Sequence, residues 1–254
     1  MSELRTFFQE NEDNSINKWI HYFDIYEFWF KKYKNKPVII LEIGVFQGGS
    51  LNMWRSYFGE NAQIFGIDIN PECKQFETEK TKIFIGSQED RNFLKTIKKQ
   101  IPKIDILIDD GGHYMNQQIV SFEELYGHIK EDGVYLCEDL HTSYWKNYGG
   151  GFKKQGSFIE YSKNLIDRLN AWHSREENLK VDEFTRSTHS IHYYDSILVI
   201  KKGKQEQPVN EMRGEVVLSG ESFKEAYKKE ENRKRFFTYK YKKMIKAFFK
   251  QLLK

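Results

Sequence analysis

Five short apolar runs, each followed by a polar or amphipathic stretch, constrain this chain more than any other feature. They are VIILEIGV (38–45), QIFGIDI (63–69), KIFIGS (82–87), IDILIDDGG (104–112) and GVYLCED (133–139). Runs of this length suit buried strands better than helices. Helical spacing of apolar residues predicts helices over 50–58, 90–100, 118–129 and 157–172. Strands spaced by helices predict a parallel sheet with right-handed crossovers. In SIHYYDSILVIKKG (190–203) the apolar positions alternate about a turn near Tyr194 and Asp195, which predicts an antiparallel hairpin. The expected fold class is α/β, a doubly wound and mostly parallel sheet closed by a C-terminal antiparallel hairpin.

The flanks read differently. Over 15–34, Trp19, Tyr22, Phe23, Tyr26, Trp29, Phe30 and Tyr33 fall three and four apart, which predicts a helix with one broad aromatic face. Such a face belongs to a core, or else to a substrate wall or a dimer contact. Asn35-Lys36-Pro37 ends it. Residues 1–36 are thus expected as an N-terminal helical extension, 37–203 as the core, and 204–254 as a linker and tail. Residues 140–156 (LHTSYWKNYGGGFKKQG) form a long glycine-rich loop, a candidate lid.

Charge separates the tail from the body. The chain carries a net +3, and residues 232–254 hold nine Lys or Arg with no acid, so residues 1–231 carry −6. An acidic body is not the footprint of a nucleic-acid reader, and no nucleic-acid partner is expected. In the tail, Met244, Ile245, Phe248, Phe249 and Leu252 alternate with Lys243, Lys246, Lys250 and Lys254. This predicts a basic amphipathic helix, able to lie on anionic lipid, on a partner, or on its own domain. No apolar stretch approaches the roughly 18 residues of a membrane span. The acidic start is unlike a secretory signal, and two cysteines suit a reducing compartment. The expected location is cytoplasmic, with peripheral contact at the inner face of the membrane through 232–254 and room for a homo-oligomer.

Ligands of an open parallel sheet bind beyond the carboxyl ends of its strands. Glu42, Gly44, Gly48, Gly49 and Ser50 follow the first strand as a glycine loop feeding a helix N-terminus. The loop lacks the G-x-G-x-x-G spacing of a dinucleotide site. Asp68 ends the second strand, where a carboxylate can accept both hydroxyls of a ribose. Ser87 and Gln88 follow the third strand, with side chains suited to an adenine edge. Asp109 and Asp110 end the fourth. In this order, the set has the layout of a class I S-adenosylmethionine-dependent methyltransferase.

The chemistry falls on the next residues. Asp110 and His113 leave the fourth strand, while Glu138 and Asp139 leave the fifth. Carboxylates brought this close share a proton, a basic partner or a cation. An all-oxygen set favours Mg²⁺ or a similar hard ion. His113 is then free to act as general base. His141, Tyr144 and Trp145, in the following loop, are candidate substrate or lid residues. A hydroxyl acceptor suits this chemistry, since a divalent ion lowers the pKa of a bound oxygen.

LEIGVFQGGSLNMW, GIDINP, GSQED, IDDGGH and EDLHTSYW resemble the macrolide-sugar and rhamnosyl O-methyltransferases, a related branch of which was labelled cephalosporin hydroxylase. The resemblance spans roughly 37–203 and implies a Rossmann-like fold, S-adenosylmethionine, Mg²⁺ and a small-molecule or glycan acceptor. By position it implies Asp110, Glu138 and Asp139 as metal ligands and His113 as base. It also implies Asp68, Ser87 and Gln88 on ribose and adenine, with Gly44 against the methionine moiety. The expected activity is O-methylation of a hydroxyl on a sugar or sugar-like acceptor, plain or phosphorylated, in surface polysaccharide or glycoside synthesis. The rivals are a metal-dependent hydroxylase, a nucleotide-dependent oxidoreductase, and a non-catalytic membrane-attached scaffold.

Overall fold

The computed structural model describes residues 2–218 and 220–252, with side chains as far as residue 245. Residues up to Pro208 form one compact unit, and those from Val209 onward form a second.

The first unit is built on a seven-stranded sheet. Its strands are β1 (Ile39–Ile43), β2 (Gln63–Asp68), β3 (Thr81–Ile85), β4 (Ile104–Asp109), β5 (Ile129–Cys137), β6 (Thr188–Tyr194) and β7 (Ile197–Lys202). Their order is β3-β2-β1-β4-β5-β7-β6. The first five pair in parallel, while β7 runs antiparallel to both β5 and β6. The doubly wound sheet with a terminal hairpin is therefore as expected. The hairpin turn falls at Asp195 and Ser196, the latter at φ +61°.

Helices cover both faces, which is why the central strands are apolar throughout. On one face Ile40, Ile64, Ile106 and Ile108 pack with α1 (Glu3–Glu10), α2 (Tyr22–Phe30) and α3 (Gly49–Phe58). On the other, Leu41, Ile43, Phe65 and Leu107 pack with α4 (Arg91–Gln100), α5 (Met115–Leu125) and α6 (Phe158–Leu169). The short α7 (Glu183–Ser187) leads into β6.

The aromatic face of the N-terminal region belongs to the core, the first of the alternatives read from its spacing: Tyr22, Phe23, Tyr26 and Phe30 are wholly buried, and Tyr26 and Phe30 pack edge-on against Trp54 of α3. The helix begins at Tyr22, not near 15, and Trp19 is exposed. Residues 14–16 lie against Gly49, where a Cβ would collide with the carbonyl oxygens of Asn14 and Ser15. A helix would turn those carbonyls along its own axis, so this close approach favours an irregular segment. A further helix, α1, was not foreseen; it is capped by Ser2, whose hydroxyl accepts from Arg5 N–H.

The second unit contains α8 (Gly220–Leu252), which starts well before the expected basic segment. The side chains of Lys246, Phe248, Phe249, Lys250 and Leu252, and all of Lys254, lie outside the described residues. Among the described residues no helix is long and apolar enough to cross a membrane.

Phe23 packs against Phe8 and Tyr26 with no exposure. Phe23→Ala is expected to cost roughly 3–5 kcal/mol of unfolding free energy, measured in urea. A change near zero would show that the N-terminal region is detachable.

Candidate active site

Register brings the polar strand ends level. Asp109 pairs with Ile43 on one side and with Cys137 on the other. The ladder continues one residue further: Asp110 N–H donates to Ile43 O and Glu138 N–H donates to Asp109 O, both at 2.9 Å. Gly44, Asp110 and Glu138 therefore emerge side by side from β1, β4 and β5. A Cβ on Gly44, which sits at φ +94°, would collide with the Asp110 carbonyl, so glycine is required there.

Two residues from the N-terminal region hold the acids. The Lys18 ammonium donates to both oxygens of Glu138, at 2.9 and 3.0 Å, and also to Asp110 Oδ2. Its side chain is only 3% exposed. The Tyr22 hydroxyl donates to Asp139 Oδ1 at 2.7 Å. Burial raises Asp110 and Glu138 above the usual carboxylate range, and the Lys18 charge opposes that rise. Burial lowers the Lys18 pKa, but the charges of Asp110, Glu138 and Glu42 outweigh it and the net shift is upward.

His113 faces the same group. Its Nε2 lies 3.4 Å from Asp139 Oδ2 and 3.8 Å from Asp110 Oδ1, and its Nδ1 is buried without a protein partner. Asp110, His113 and Asp139 each offer a ligand atom, and these lie within 4.8 Å of one another. His113 and Asp139 both adopt left-handed backbone, at φ +58° and +56°. Such conformations cost about 1–3 kcal/mol and persist where the surroundings impose them. Here Thr142 does so, its hydroxyl placed to donate to the carbonyls of both His113 and Asp139.

A cavity of about 480 Å³ joins these groups to the glycine loop. Of the residues singled out from sequence, Gly44, Ser50, Asp68, Ser87, Gln88, Asp110, His113 and Asp139 line it. Asp68 shapes the loop from below: Oδ2 accepts from Val45 and Phe46 N–H at 2.9 and 3.0 Å, and Oδ1 from Asn70 N–H at 2.8 Å. Gln88 bridges the acids and the glycines, donating to Asp109 Oδ1 and accepting from Gly112 N–H.

Other candidates lie elsewhere. Glu42 is buried behind the loop, accepting from Ser50 Oγ and Trp54 Nε1, and Asp109 is buried beneath Gln88. Neither lines the cavity; both brace residues that do. Glu138 is likewise buried, turned toward Lys18. Tyr144 and Trp145 are exposed outside the cavity, with Trp145 packed on His141. The loop carrying them is tied down, for Gly150 and Gly151 N–H donate to Trp145 and Ser143 carbonyls. The cavity wall comes instead from Ser15, Ile16, Asn17 and Lys18. Sequence reasoning missed these four, and also Phe46, an exposed cavity residue at φ +51°.

No family model matches the chain. It is 32% identical over 193 residues to the mycinamicin VI 2''-O-methyltransferase of Micromonospora griseorubida, covering 72% of this chain and 48% of that protein. It is also 32% identical over 201 residues to a Streptomyces olivaceus enzyme that 3'-O-methylates 8-demethyl-8-(2-methoxy-α-L-rhamnosyl)-tetracenomycin C, covering 74% and 51%. Over these residues the chain is similar to these sugar O-methyltransferases. It spans about half the length of the curated relatives it matches. Among solved structures, the MycE methyltransferase in complex with Mg and SAH superposes with a TM-score of 0.70 at 30% identity, over 80% of this chain and 54% of that one. The first unit thus has the class I methyltransferase fold.

The residues present fit both groups that this fold implies. The cavity is of small-molecule size, and the Asp68 carboxylate borders it beside Gly44. Asp110 and Asp139 supply oxygen donors for a hard cation, with the His113 imidazole within reach. Glu138, the third expected ligand, has both oxygens engaged by Lys18.

Burial raises Glu42 to about 7, against the Lys18 charge and its two hydrogen bonds. A carboxyl group raised on folding stabilises the fold fully below its unfolded pKa, and that contribution is lost as pH rises through the folded value. Between pH 5 and 8 the wild type is expected to lose on the order of 2–3 kcal/mol more stability than Glu42→Gln. Urea unfolding at both pH values measures this; equal losses would show that Glu42 ionises in the fold without cost.

Proposed function

We propose that this chain transfers a methyl group from S-adenosylmethionine to a hydroxyl of a sugar or sugar-like acceptor, assisted by Mg²⁺ or a similar divalent cation. One observation carries the reading: a single cavity runs from Gly44, Asp68 and Ser87 to Asp110, His113 and Asp139. Cofactor-binding and proton-accepting groups thus share one space. The homologues named for sugar positions on antibiotic glycosides support the acceptor class.

The cofactor supplies an electrophilic methyl group and the cation a lowered hydroxyl pKa. The chain's residues supply the rest. Asp68 holds the ribose hydroxyls, Ser87 and Gln88 meet the adenine edge, and glycine at 44 lets the methionine end approach the backbone. Asp110 and Asp139 would hold the cation, which would lower the pKa of the acceptor hydroxyl. As that oxygen bonds to the methyl carbon and the carbon–sulfur bond breaks, its proton passes to His113. Asp139 at 3.4 Å and Asp110 at 3.8 Å stabilise the imidazolium that forms. Asp109 and Glu42 support from behind. Segment 15–18 excludes water on one side of the cavity.

The basic run from 232 to 254 supports work beside an anionic membrane face, on a surface-polysaccharide or glycoside acceptor. The oxidoreductase and hydroxylase readings have less support. The G-x-G-x-x-G spacing is absent, and the metal-capable group among the described residues holds one histidine and two carboxylates.

The test is methyl transfer from labelled S-adenosylmethionine to a rhamnosyl glycoside with Mg²⁺. His113→Ala and Asp110→Asn are each expected to lower turnover by roughly 10²–10⁴-fold while S-adenosylhomocysteine still binds. Near-full turnover in either variant would refute the assigned roles.

A further inference from the structure

Lys18 sits where the resemblance places only carboxylates and a cation. Its ammonium contacts Glu138 through both oxygens and Asp110 through one, at 3% side-chain exposure. It is delivered there by backbone, not by a flexible arm alone. Residues 14–16 are pressed against Gly49 at the start of α3, and α2 is fastened into the core from Tyr22 onward. Between these two anchors, the backbone at Lys18 is held beside the acids. It also lines the cavity, so an ammonium leaving the acids has space to occupy.

Two unlike cations cannot use the same oxygens. A divalent ion held by Asp110 and Asp139 would come within a few ångströms of the Lys18 charge, whose burial leaves the repulsion poorly screened. We propose that Lys18 is a positioning residue, the built-in counter-cation of Asp110 and Glu138, and that a divalent ion binds this site in competition with it. In the metal-free chain Lys18 holds both acids in place. When the ion binds, the ammonium swings off Asp110 into the cavity that it lines, changing that part of the cavity wall. Cation binding and the wall of the cavity are thereby coupled. This rests on Asp110 and Asp139 being the cation's ligands; it does not require that methyl transfer be the reaction.

Two measurements on the full chain test it, neither of which reads turnover. The first is calorimetric titration with Mn²⁺ alone. Lys18→Met is expected to bind Mn²⁺ roughly tenfold tighter than the wild type, and Lys18→Arg, which keeps the charge, to stay within about threefold of it. Equal affinity in wild type and Lys18→Met, including no binding in both, overturns the proposal, as does weaker binding in Lys18→Met. The second needs no variant and so survives a misfolded one. The wild type is labelled with an amine-acylating reagent, and modification of Lys18 is read by mass spectrometry. Lys18 is expected to be protected in EDTA and modified at saturating Mn²⁺. Protection that persists with the metal bound, or modification that is equal in EDTA, overturns it. S-adenosylhomocysteine binding, measured in the same samples, reports separately on the methyltransferase reading.

Discussion

The acids at the ends of β4 and β5 must be compensated, and the rest of the molecule is arranged around that need. Asp110, Glu138 and Asp139 emerge from neighbouring strands whose register leaves no room to separate them. Carboxylates packed this closely and removed from water would repel or protonate. Lys18 and Tyr22 answer them from outside the sheet, one by charge and one by a hydroxyl. Removing one partner from a buried ion pair typically costs about 3–5 kcal/mol, because the remaining charge is stranded. The N-terminal region is therefore part of the site's electrostatics as well as of the hydrophobic core.

Packing places those two residues. The aromatic side of α2 rests on Trp54 and Phe58 of α3, and α3 begins at the glycine loop beyond β1. The same loop is braced by Asp68 from β2 and by Glu42 from β1. The aromatic core, the glycine loop and the acids are thus a single connected structure. A ligand in the cavity would touch the glycine loop and the acids, and the strained backbone at Phe46, His113 and Asp139 is distributed around that cavity.

Much of this was legible in the sequence where the signal was local. Apolar runs such as VIILEIGV can be recognised without knowing their neighbours, and each of the five runs falls on one of the parallel strands β1 to β5. Strand-end residues were legible because topology sends them all to one edge, which is why Gly44, Asp68, Gln88, Asp110 and His113 share a cavity. Long-range pairings were not. Lys18 meets Glu138 across 120 residues and Tyr22 meets Asp139 across 117. Nothing in the periodicity of 15–34 marks Lys18, because a helical pattern continues through it. The segment before Tyr22 lies instead against Gly49, a contact from elsewhere in the chain that its own periodicity does not show. The loop at 140–156 shows the same limit: its length and glycines are visible in the sequence, but the hydrogen bonds from Gly150 and Gly151 that close it on itself are not.

In the proposed function, the cavity beside Gly44 and Asp68 takes the S-adenosyl group. The most direct measurement is thermal unfolding of the full chain with S-adenosylhomocysteine, set against NADH. At about 100 times its dissociation constant a ligand stabilises by about 2.7 kcal/mol, which for a domain of this size raises the midpoint by roughly 5–10 °C. The account predicts that rise with S-adenosylhomocysteine and none with NADH. A rise with NADH alone would contradict it.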